Sequence, residues 1–196
     1  MRRLVIAVDC DDVLLMTTPF FVDAYNSTFG TKVTLDVSNN NQHDVWGVDR
    51  TTLEARFAQL MDTEEYKQLH PDSREVEILM KLAKDHELHV ITARREHERE
   101  LTQYTLDTYL PGVFTSLELV GFHGSKGEVC KELGADILID DNARHLLNAL
   151  EHGISQENAI LFGDYVWNAP SDTNASLTRC VNWTEVQREV DRLARQ

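Results

Sequence analysis

The sequence lacks an apolar run long enough to cross a membrane. The longest run near its start, Leu4 to Val8, has five residues and ends at Asp9, whereas a spanning helix needs about 20 residues. The same run is too short for the apolar core of a signal peptide. We therefore expect a cytoplasmic protein without a membrane partner.

Cysteine, glycine and proline are also scarce. The 196 residues include nine glycines, four prolines and three cysteines, which excludes collagen-like, low-complexity and disulfide-framework proteins. The three cysteines form no CxxC pair, which favours the reduced thiols of a cytosolic protein. With 42% apolar residues, a chain of this length can bury one compact core.

Basic residues are too few for a nucleic-acid binder. The sequence has 19 Lys+Arg against 33 Asp+Glu, a net charge of −14. Binding of duplex nucleic acid depends on neutralising phosphates, so this partner is excluded, and no basic amphipathic stretch suits an anionic membrane. A small phosphate ester can still bind if a metal ion and one or two cations reverse the local field.

Short apolar runs alternate with amphipathic stretches along most of the chain. This alternation predicts an α/β fold, a doubly wound parallel sheet with helices on both faces. Buried strands are predicted at Leu4 to Val8, Leu88 to Ile91, Leu117 to Val120, Ile137 to Ile139 and Ala159 to Phe162. Helices are predicted at Ser73 to Lys84, Glu96 to Tyr109, Ser125 to Gly134 and Ala143 to Glu151.

A helical insertion interrupts this alternation after the first strand. About 80 residues separate the first two predicted strands, more than a simple crossover needs. Thr18-Pro19 predicts the N-cap and first residue of a helix that ends at Gly30. Thr51 predicts the N-cap of another, and a short third helix is predicted at Thr63 to Leu69. The predicted domains are a core of residues 1–17 and 71–196 and a helical cap of residues 18–70.

Chemically capable residues follow the predicted strands directly. Because ligands bind at the carboxyl ends of parallel strands, we expect these side chains to lie together. They are Asp9 and Asp11 after the first strand, Thr92, Ala93 and Arg94 after the second, Lys126 after the third, and Asp140 and Asp141 after the fourth. Carboxylates, a hydroxyl and an ammonium are the groups that phosphoryl transfer through an aspartyl-phosphate requires.

Each of these groups has a physical part in such a reaction. A carboxylate can attack phosphorus, but its charge repels a phosphate. Mg²⁺, which prefers oxygen ligands, removes that repulsion. A lysine and a hydroxyl can hold the remaining phosphate oxygens as charge develops on them. A second acid close after the nucleophile can protonate the leaving alkoxide and later deprotonate the attacking water.

The same residues carry a family resemblance. Val8 to Leu14 (VDCDDVL) resembles the DxDx[VT]L signature of the haloacid dehalogenase superfamily. Ile91-Thr92, Lys126 and Ile139 to Asp141 are similar to its second, third and fourth motifs, in that order. The resemblance covers Leu4 to Trp167 and is closest to the 5′(3′)-deoxyribonucleotidases, the C-type cytosolic 5′-nucleotidases and their bacterial relatives. The stretches most like this branch are Thr92 to Arg94, Lys126 to Asp141 and Leu161 to Asn168.

The resemblance implies a Mg²⁺-dependent phosphomonoesterase acting on a small phosphorylated substrate, in this branch a nucleoside monophosphate. It makes Asp9 the nucleophile and Asp11 the general acid and base. It assigns phosphate binding to Thr92, Ala93 and Lys126. It places the metal between Asp9, the backbone carbonyl of Asp11, and Asp140 with Asp141, of which Asp141 is the direct ligand. A homodimer is compatible with this reading.

Two departures from the family pattern leave alternatives open. The superfamily usually has a further acid soon after its fourth motif, whereas Asn142 to His145 contain none. The animal deoxyribonucleotidases pack an aromatic residue on the nucleobase from the position that Thr17 occupies here. Phe20, Phe21 or Trp46 of the cap would have to cover the nucleobase instead, and Arg94 would contact either a phosphate of the substrate or the carboxylates. The alternatives are a phosphatase for another small phosphomonoester, such as a sugar phosphate, and a binding protein of the same fold without turnover.

Overall fold

Six parallel strands form one sheet in the computed structural model, which describes residues 2–38, 43–172 and 174–196. The strands are β1 (Val5–Val8), β2 (Glu87–Thr92), β3 (Ser116–Leu119), β4 (Ile137–Asp140), β5 (Ala159–Phe162) and β6 (Thr178–Cys180). Their order in the sheet is β3-β2-β1-β4-β5-β6. The predicted fold class is confirmed, and the five predicted strands are present within one residue of the expected bounds; β6 was not predicted.

Helices cover both faces of this sheet. They are α1 (Thr17–Phe29), α2 (Leu35–Ser38), α3 (Arg50–Met61), α4 (Glu64–Lys67), α5 (Ser73–Asp85), α6 (Arg99–Tyr109), α7 (Lys126–Leu133), α8 (Ala143–Glu151) and α9 (Trp183–Leu193). Successive strand residues point to opposite faces. Ile6 and Val8 of β1 therefore pack with residues of α5, α6 and α9, while Ala7 packs with residues of α7 and α8. None of the helices in these described ranges has the length and apolar character needed to cross a membrane.

Two predicted helix starts are confirmed by their capping contacts. Ser125 is the N-cap of α7, where its side chain accepts the backbone N–H of Glu128. Asp72 and Glu75 form a capping box at the start of α5, each accepting the other's backbone N–H through its side chain. Two otherwise unpaired backbone donors are thereby satisfied at that terminus.

The segment from α1 to α4, between β1 and α5, folds around an apolar cluster of its own. The buried members of that cluster are Val22, Tyr25, Val33, Trp46, Leu53 and Leu60. We call this segment the cap. Its division from the core at residues 18–70 stays a prediction, and residues 39–42 of the predicted cap lie outside the described residues.

The helix starts predicted at Thr18 and Thr51 are wrong, whereas the one predicted at Thr63 is confirmed, since Thr63 is the N-cap of α4. Helix α1 begins at Thr17, and the acceptor for the backbone N–H of Thr18 is the Asp12 carboxylate, at 2.9 Å. Helix α3 follows Asp49, whose carboxylate accepts the backbone N–H of Thr52 at 3.0 Å. In both cases a carboxylate, which can bind an N–H more strongly than a hydroxyl, accepts a backbone N–H of the first turn.

Candidate active site

Three carboxylates meet where β1 and β4 end. Asp9 follows β1, and its backbone N–H donates to the carbonyl of Ile139 in β4 at 2.9 Å. Asp140 ends β4 and Asp141 follows it. Because β1 and β4 are neighbours in the sheet, one ligand oxygen from each of the three carboxylates lies within 4.8 Å of the others. We call Asp9, Asp140 and Asp141 the acidic cluster.

Lys126 binds two members of the acidic cluster. It is the first residue of α7 and has no exposed surface. Its Nζ lies 2.8 Å from Asp9 Oδ1 and 2.6 Å from Asp140 Oδ2. Burial by itself would lower the pKa of Lys126, but attraction by Asp140 and Asp9 outweighs it and raises that pKa above its ordinary value. The lysine is therefore charged, which explains why a cation can stay at a buried helix N-terminus.

One ammonium does not balance three buried carboxylates. Burial, together with repulsion from Asp140 and Asp11, raises the pKa of Asp9 to about 8 despite the attraction of Lys126. Burial and repulsion from Asp140 and Asp9 raise the pKa of Asp141 well above its ordinary value. With all three carboxylates ionised, the acidic cluster and Lys126 would carry two uncompensated negative charges. A site of closely spaced carboxylate oxygens with that charge fits a divalent cation that prefers oxygen ligands, such as Mg²⁺.

Asp11 lies beside the acidic cluster and binds Arg94. The Arg94 Nη2 donates to Asp11 Oδ1 at 2.7 Å, and its Nε donates to Asp11 Oδ2 at 3.0 Å. Arg94 Nη1 also donates to the hydroxyl of Thr102 at 2.9 Å, which fixes the guanidinium. Burial would raise the pKa of Asp11, but the charge and hydrogen bonds of Arg94 hold it below its ordinary value. Of the two roles predicted for Arg94, contact with the carboxylates is the one that the structure shows.

The residues predicted to bind phosphate differ in their exposure. Ala93 lines the cavity described below. Thr92 is fully buried at the end of β2, where its hydroxyl oxygen accepts the backbone N–H of Arg94 at 3.2 Å. Lys126 is equally buried, behind Asp9. The structure thus brings Lys126 to the predicted nucleophile and places Thr92 on the neighbouring strand end.

A cavity of about 390 Å³ opens between this edge of the sheet and the cap. Its polar wall includes Asp9, Asp11, Arg94 and Asp141. Its aromatic residues are Phe21, Phe57 and Tyr66 from the cap and Phe122 from the loop after β3.

The structure does not place Phe20 or Trp46 among the residues that line this cavity. Trp46 is 4% exposed because it packs against Tyr25 and Phe57 inside the cap. Phe20 packs against Phe21 and Tyr66. Phe21, the next residue of α1, does line the cavity. Adjacent residues of a helix point in different directions, which explains why Phe21 reaches the cavity and Phe20 does not.

The loop after β5 contributes two residues that the sequence analysis did not single out. Trp167 Nε1 donates to Asp141 Oδ2 at 2.8 Å. The Tyr165 hydroxyl donates to the backbone carbonyl of Asp12 at 2.7 Å, and Asp12 has a φ of 57°, which is uncommon for a residue with a side chain. The strand-end rule used for β1, β2 and β4 would have found this loop had it been applied to β5.

Together these groups form a site suited to phosphoryl chemistry. A buried carboxylate lies at the cavity wall beside a charged lysine, a candidate cation site and a second carboxylate on an arginine. The first can act as a nucleophile and the second can exchange protons, while the cations offset the charge of a phosphate.

A family model matches nearly the whole chain. The model described as "5′ nucleotidase, deoxy (Pyrimidine), cytosolic type C protein" matches residues 3–196. A comparison with curated proteins finds no match.

Several solved structures share the fold. A haloacid dehalogenase-like hydrolase from Streptococcus pneumoniae has a TM-score of 0.67 at 11% identity, over 96% of this chain and 98% of that one. A protein described as a predicted phosphatase from Clostridium acetobutylicum has a TM-score of 0.68 at 13% identity, over 98% and 100% of the two chains. A haloacid dehalogenase-superfamily hydrolase from Geobacter sulfurreducens has a TM-score of 0.60 at 15% identity, over 98% and 96%. At these identities the likeness shows the fold alone.

Proposed function

The chain belongs to the cytosolic type C 5′-nucleotidase family, and so is a phosphatase of the haloacid dehalogenase type, and we propose that it hydrolyses nucleoside monophosphates through an aspartyl-phosphate on Asp9. The observation that carries this proposal is the acidic cluster around Lys126, of which Asp9 and Asp141 line the cavity. The cavity volume, about 390 Å³, is within the range of small-molecule sites. The assignment of a nucleotide as the substrate is based on the family match.

Asp9 attacks the phosphorus of the bound ester and displaces the alkoxide of the leaving nucleoside. Lys126 Nζ and the backbone N–H of Cys10 both donate to Asp9 Oδ1, at 2.8 and 2.7 Å, and these two bonds hold the carboxylate in one orientation. Asp9, Asp140 and Asp141 would hold Mg²⁺, which when bound offsets the repulsion between the carboxylate and the phosphate. Water then hydrolyses the aspartyl-phosphate and frees Asp9 for the next cycle.

Phosphate oxygens are bound at the ends of β2 and α7. Two N–H groups of the Lys126 ammonium point to Asp9 and Asp140, so the third can donate to the phosphate. The Thr92 hydroxyl accepts from the Arg94 backbone and keeps its own hydrogen for the same purpose. The backbone of Ala93, which lines the cavity, completes this set. These donors stabilise the charge that develops on the phosphoryl oxygens in the transition state.

Asp11 moves the protons. Ionised beside Arg94, it is ready to accept a proton from the water that attacks the aspartyl-phosphate. To protonate the leaving alkoxide in the first step, Asp11 must first gain a proton. A bound phosphate favours that change, because it competes for Arg94, which also lines the cavity, and adds negative charge near Asp11.

Phosphate release from a panel of compounds tests this proposal. The panel contains ribo- and deoxyribonucleoside monophosphates and sugar phosphates, each with Mg²⁺ and with EDTA. We expect release from nucleotides that depends on Mg²⁺ and is abolished by Asp9→Asn. Asp107→Asn, the same substitution on the exposed side of α6, is the control and should keep full activity.

The other outcomes separate the alternatives. Release from sugar phosphates alone would retain the chemistry and contradict the nucleotide substrate. Full activity of Asp9→Asn would contradict the aspartyl-phosphate. Absence of release from every compound would favour a binding protein of the same fold.

A further inference from the structure

Lys126 does not account for the orientation of the third carboxylate of the acidic cluster. It binds Asp9 and Asp140, and Asp140 also accepts the backbone N–H of Asn142 at 2.9 Å. Asp141 is the remaining member, and the residues that follow it, Asn142 to His145, offer no acid to assist it. Because a buried carboxylate needs a hydrogen-bond donor, the donor to Asp141 identifies the residue that orients it.

That donor comes from another strand end. Trp167 Nε1 lies 2.8 Å from Asp141 Oδ2, and Trp167 belongs to the short helical turn Val166–Asn168 after β5. Strand β5 is the neighbour of β4 in the sheet. The contact therefore joins two adjacent carboxyl ends, with the donor from one and the carboxylate from the other.

The indole is itself held in place. Its ring stacks on that of Tyr165, with centroids 4.5 Å apart and planes at 10°. The Tyr165 hydroxyl is bound to the Asp12 carbonyl. The next residue, Asn168, is 1% exposed and donates from Nδ2 to the carbonyl of Phe162 at 2.6 Å. A donor constrained at its ring and at its backbone can fix the rotation of the carboxylate that it binds.

The Trp167 donor carries no charge, and this affects how strongly the acidic cluster can attract a cation. An indole N–H donates only and carries no charge, unlike the ammonium of Lys126 on the other two carboxylates. It therefore orients Asp141 without adding a positive charge, so the acidic cluster, once its carboxylates are ionised, keeps the excess negative charge that a divalent cation needs. The second carboxylate oxygen of Asp141 is left for the metal.

We propose that Trp167 is a positioning residue that orients Asp141 for the divalent cation through the Nε1–Oδ2 hydrogen bond. The inference rests on the proposed function, since it assumes that the acidic cluster binds this cation. In this inference, a neutral donor from the loop after β5 gives Asp141 the support that a further acid after Asp141 would otherwise give.

Calorimetric titration of metal-free protein with Mg²⁺ tests the inference independently of turnover. Trp167→Phe removes the N–H and keeps an aromatic ring for stacking on Tyr165. We expect it to weaken Mg²⁺ binding by about 10-fold to 100-fold, the range for loss of a group that supports a metal ligand. An affinity equal to that of the wild-type protein would overturn the inference.

Trp183→Phe is the matched control. It removes an indole N–H that donates in the core to the carbonyl of Val13, at 3.1 Å, and not to Asp141. We expect its Mg²⁺ affinity to stay within about twofold of the wild-type value. An equal loss in both variants would indicate general destabilisation and would overturn the inference. A wild-type protein that binds no Mg²⁺ would instead overturn the cation site of the proposed function.

A second measurement does not depend on the folding of Trp167→Phe. The sequence has three tryptophans, so the variant Trp46→Phe/Trp183→Phe keeps Trp167 as its one indole fluorophore. Saturation with Mg²⁺, monitored by calorimetry, should change its emission, because a cation then binds the carboxylate that accepts its N–H. An emission spectrum unchanged at metal saturation would contradict the contact.

Discussion

Replacement of Lys126 by methionine measures how much the lysine contributes to the free energy of unfolding by binding the acidic cluster. The substitution keeps most of the side-chain volume and removes an ammonium that lies 2.8 Å from Asp9 and 2.6 Å from Asp140. All three residues are at most 6% exposed, so water cannot replace the lost interactions. The variant tests whether the lysine is required to keep these carboxylates in the interior.

The expected loss of stability is large. Removal of one partner from a buried ion pair costs about 3–5 kcal/mol, because the other charge remains buried without compensation. For a domain of this size that loss lowers Tm by about 6–20 °C. The loss should shrink at acid pH, where the carboxylates that are left can take up protons instead of remaining charged.

Thermal unfolding of the metal-free protein in EDTA, at pH 8 and pH 5, is the assay. Lys131→Met is the control, since Lys131 is on the same helix α7 and is exposed, and a surface change of this kind stays within about 0.5 kcal/mol. A loss below about 1 kcal/mol at pH 8, or one equal to that of Lys131→Met, would refute the reasoning.

The remaining predictions concern the pH dependence of the site. Arg94→Met removes the cation that holds the pKa of Asp11 below its ordinary value. The alkaline fall of the kcat/KM profile, which reports the step in which Asp11 must be protonated, should therefore move to higher pH. Arg192→Met, on α9 and outside the cavity lining, is the control, and an unmoved fall in Arg94→Met would contradict the role of the Arg94 contact. The pKa of Asp9 is raised from 3.8 to about 8 in the metal-free protein. Because the unfolded chain releases this proton near pH 4, the folded state loses stability as the pH rises from about 4 to about 8. The excess of Tm in Mg²⁺ over Tm in EDTA should therefore grow across that window, and a constant difference would count against the cation site.

Much of the candidate site could be predicted because each residue follows a strand. The apolar runs before Asp9, Thr92 and Asp140 identify β1, β2 and β4 by local pattern, and parallel strands bring such ends to one edge. Lys126 was found in the same way, through the cap residue Ser125 that starts α7.

Other contacts could not be predicted, because they join side chains that are distant in sequence. Arg94 and Asp11 are 83 positions apart, and Trp167 and Asp141 are 26 apart. Which of several possible partners meets a given carboxylate depends on rotamers and loop paths. The positions of Phe20 and Trp46 could not be predicted for the same reason. An aromatic residue of the cap can face the cavity or the cap interior, and its sequence position does not decide which.

The sequence by itself determined the order of β1 to β5 and of the helices α5 to α8, which precede β2 and connect β2 to β5, and the chemical groups that follow β1, β2 and β4. Those properties are local, since side-chain periodicity and capping residues act over a few positions. The tertiary structure alone decided how these groups pair. It placed β1 between β2 and β4, which put Lys126 between Asp9 and Asp140, Arg94 on Asp11, and Trp167 on Asp141. The pairing follows from sheet order and packing, which bring together residues that have no fixed spacing in the sequence.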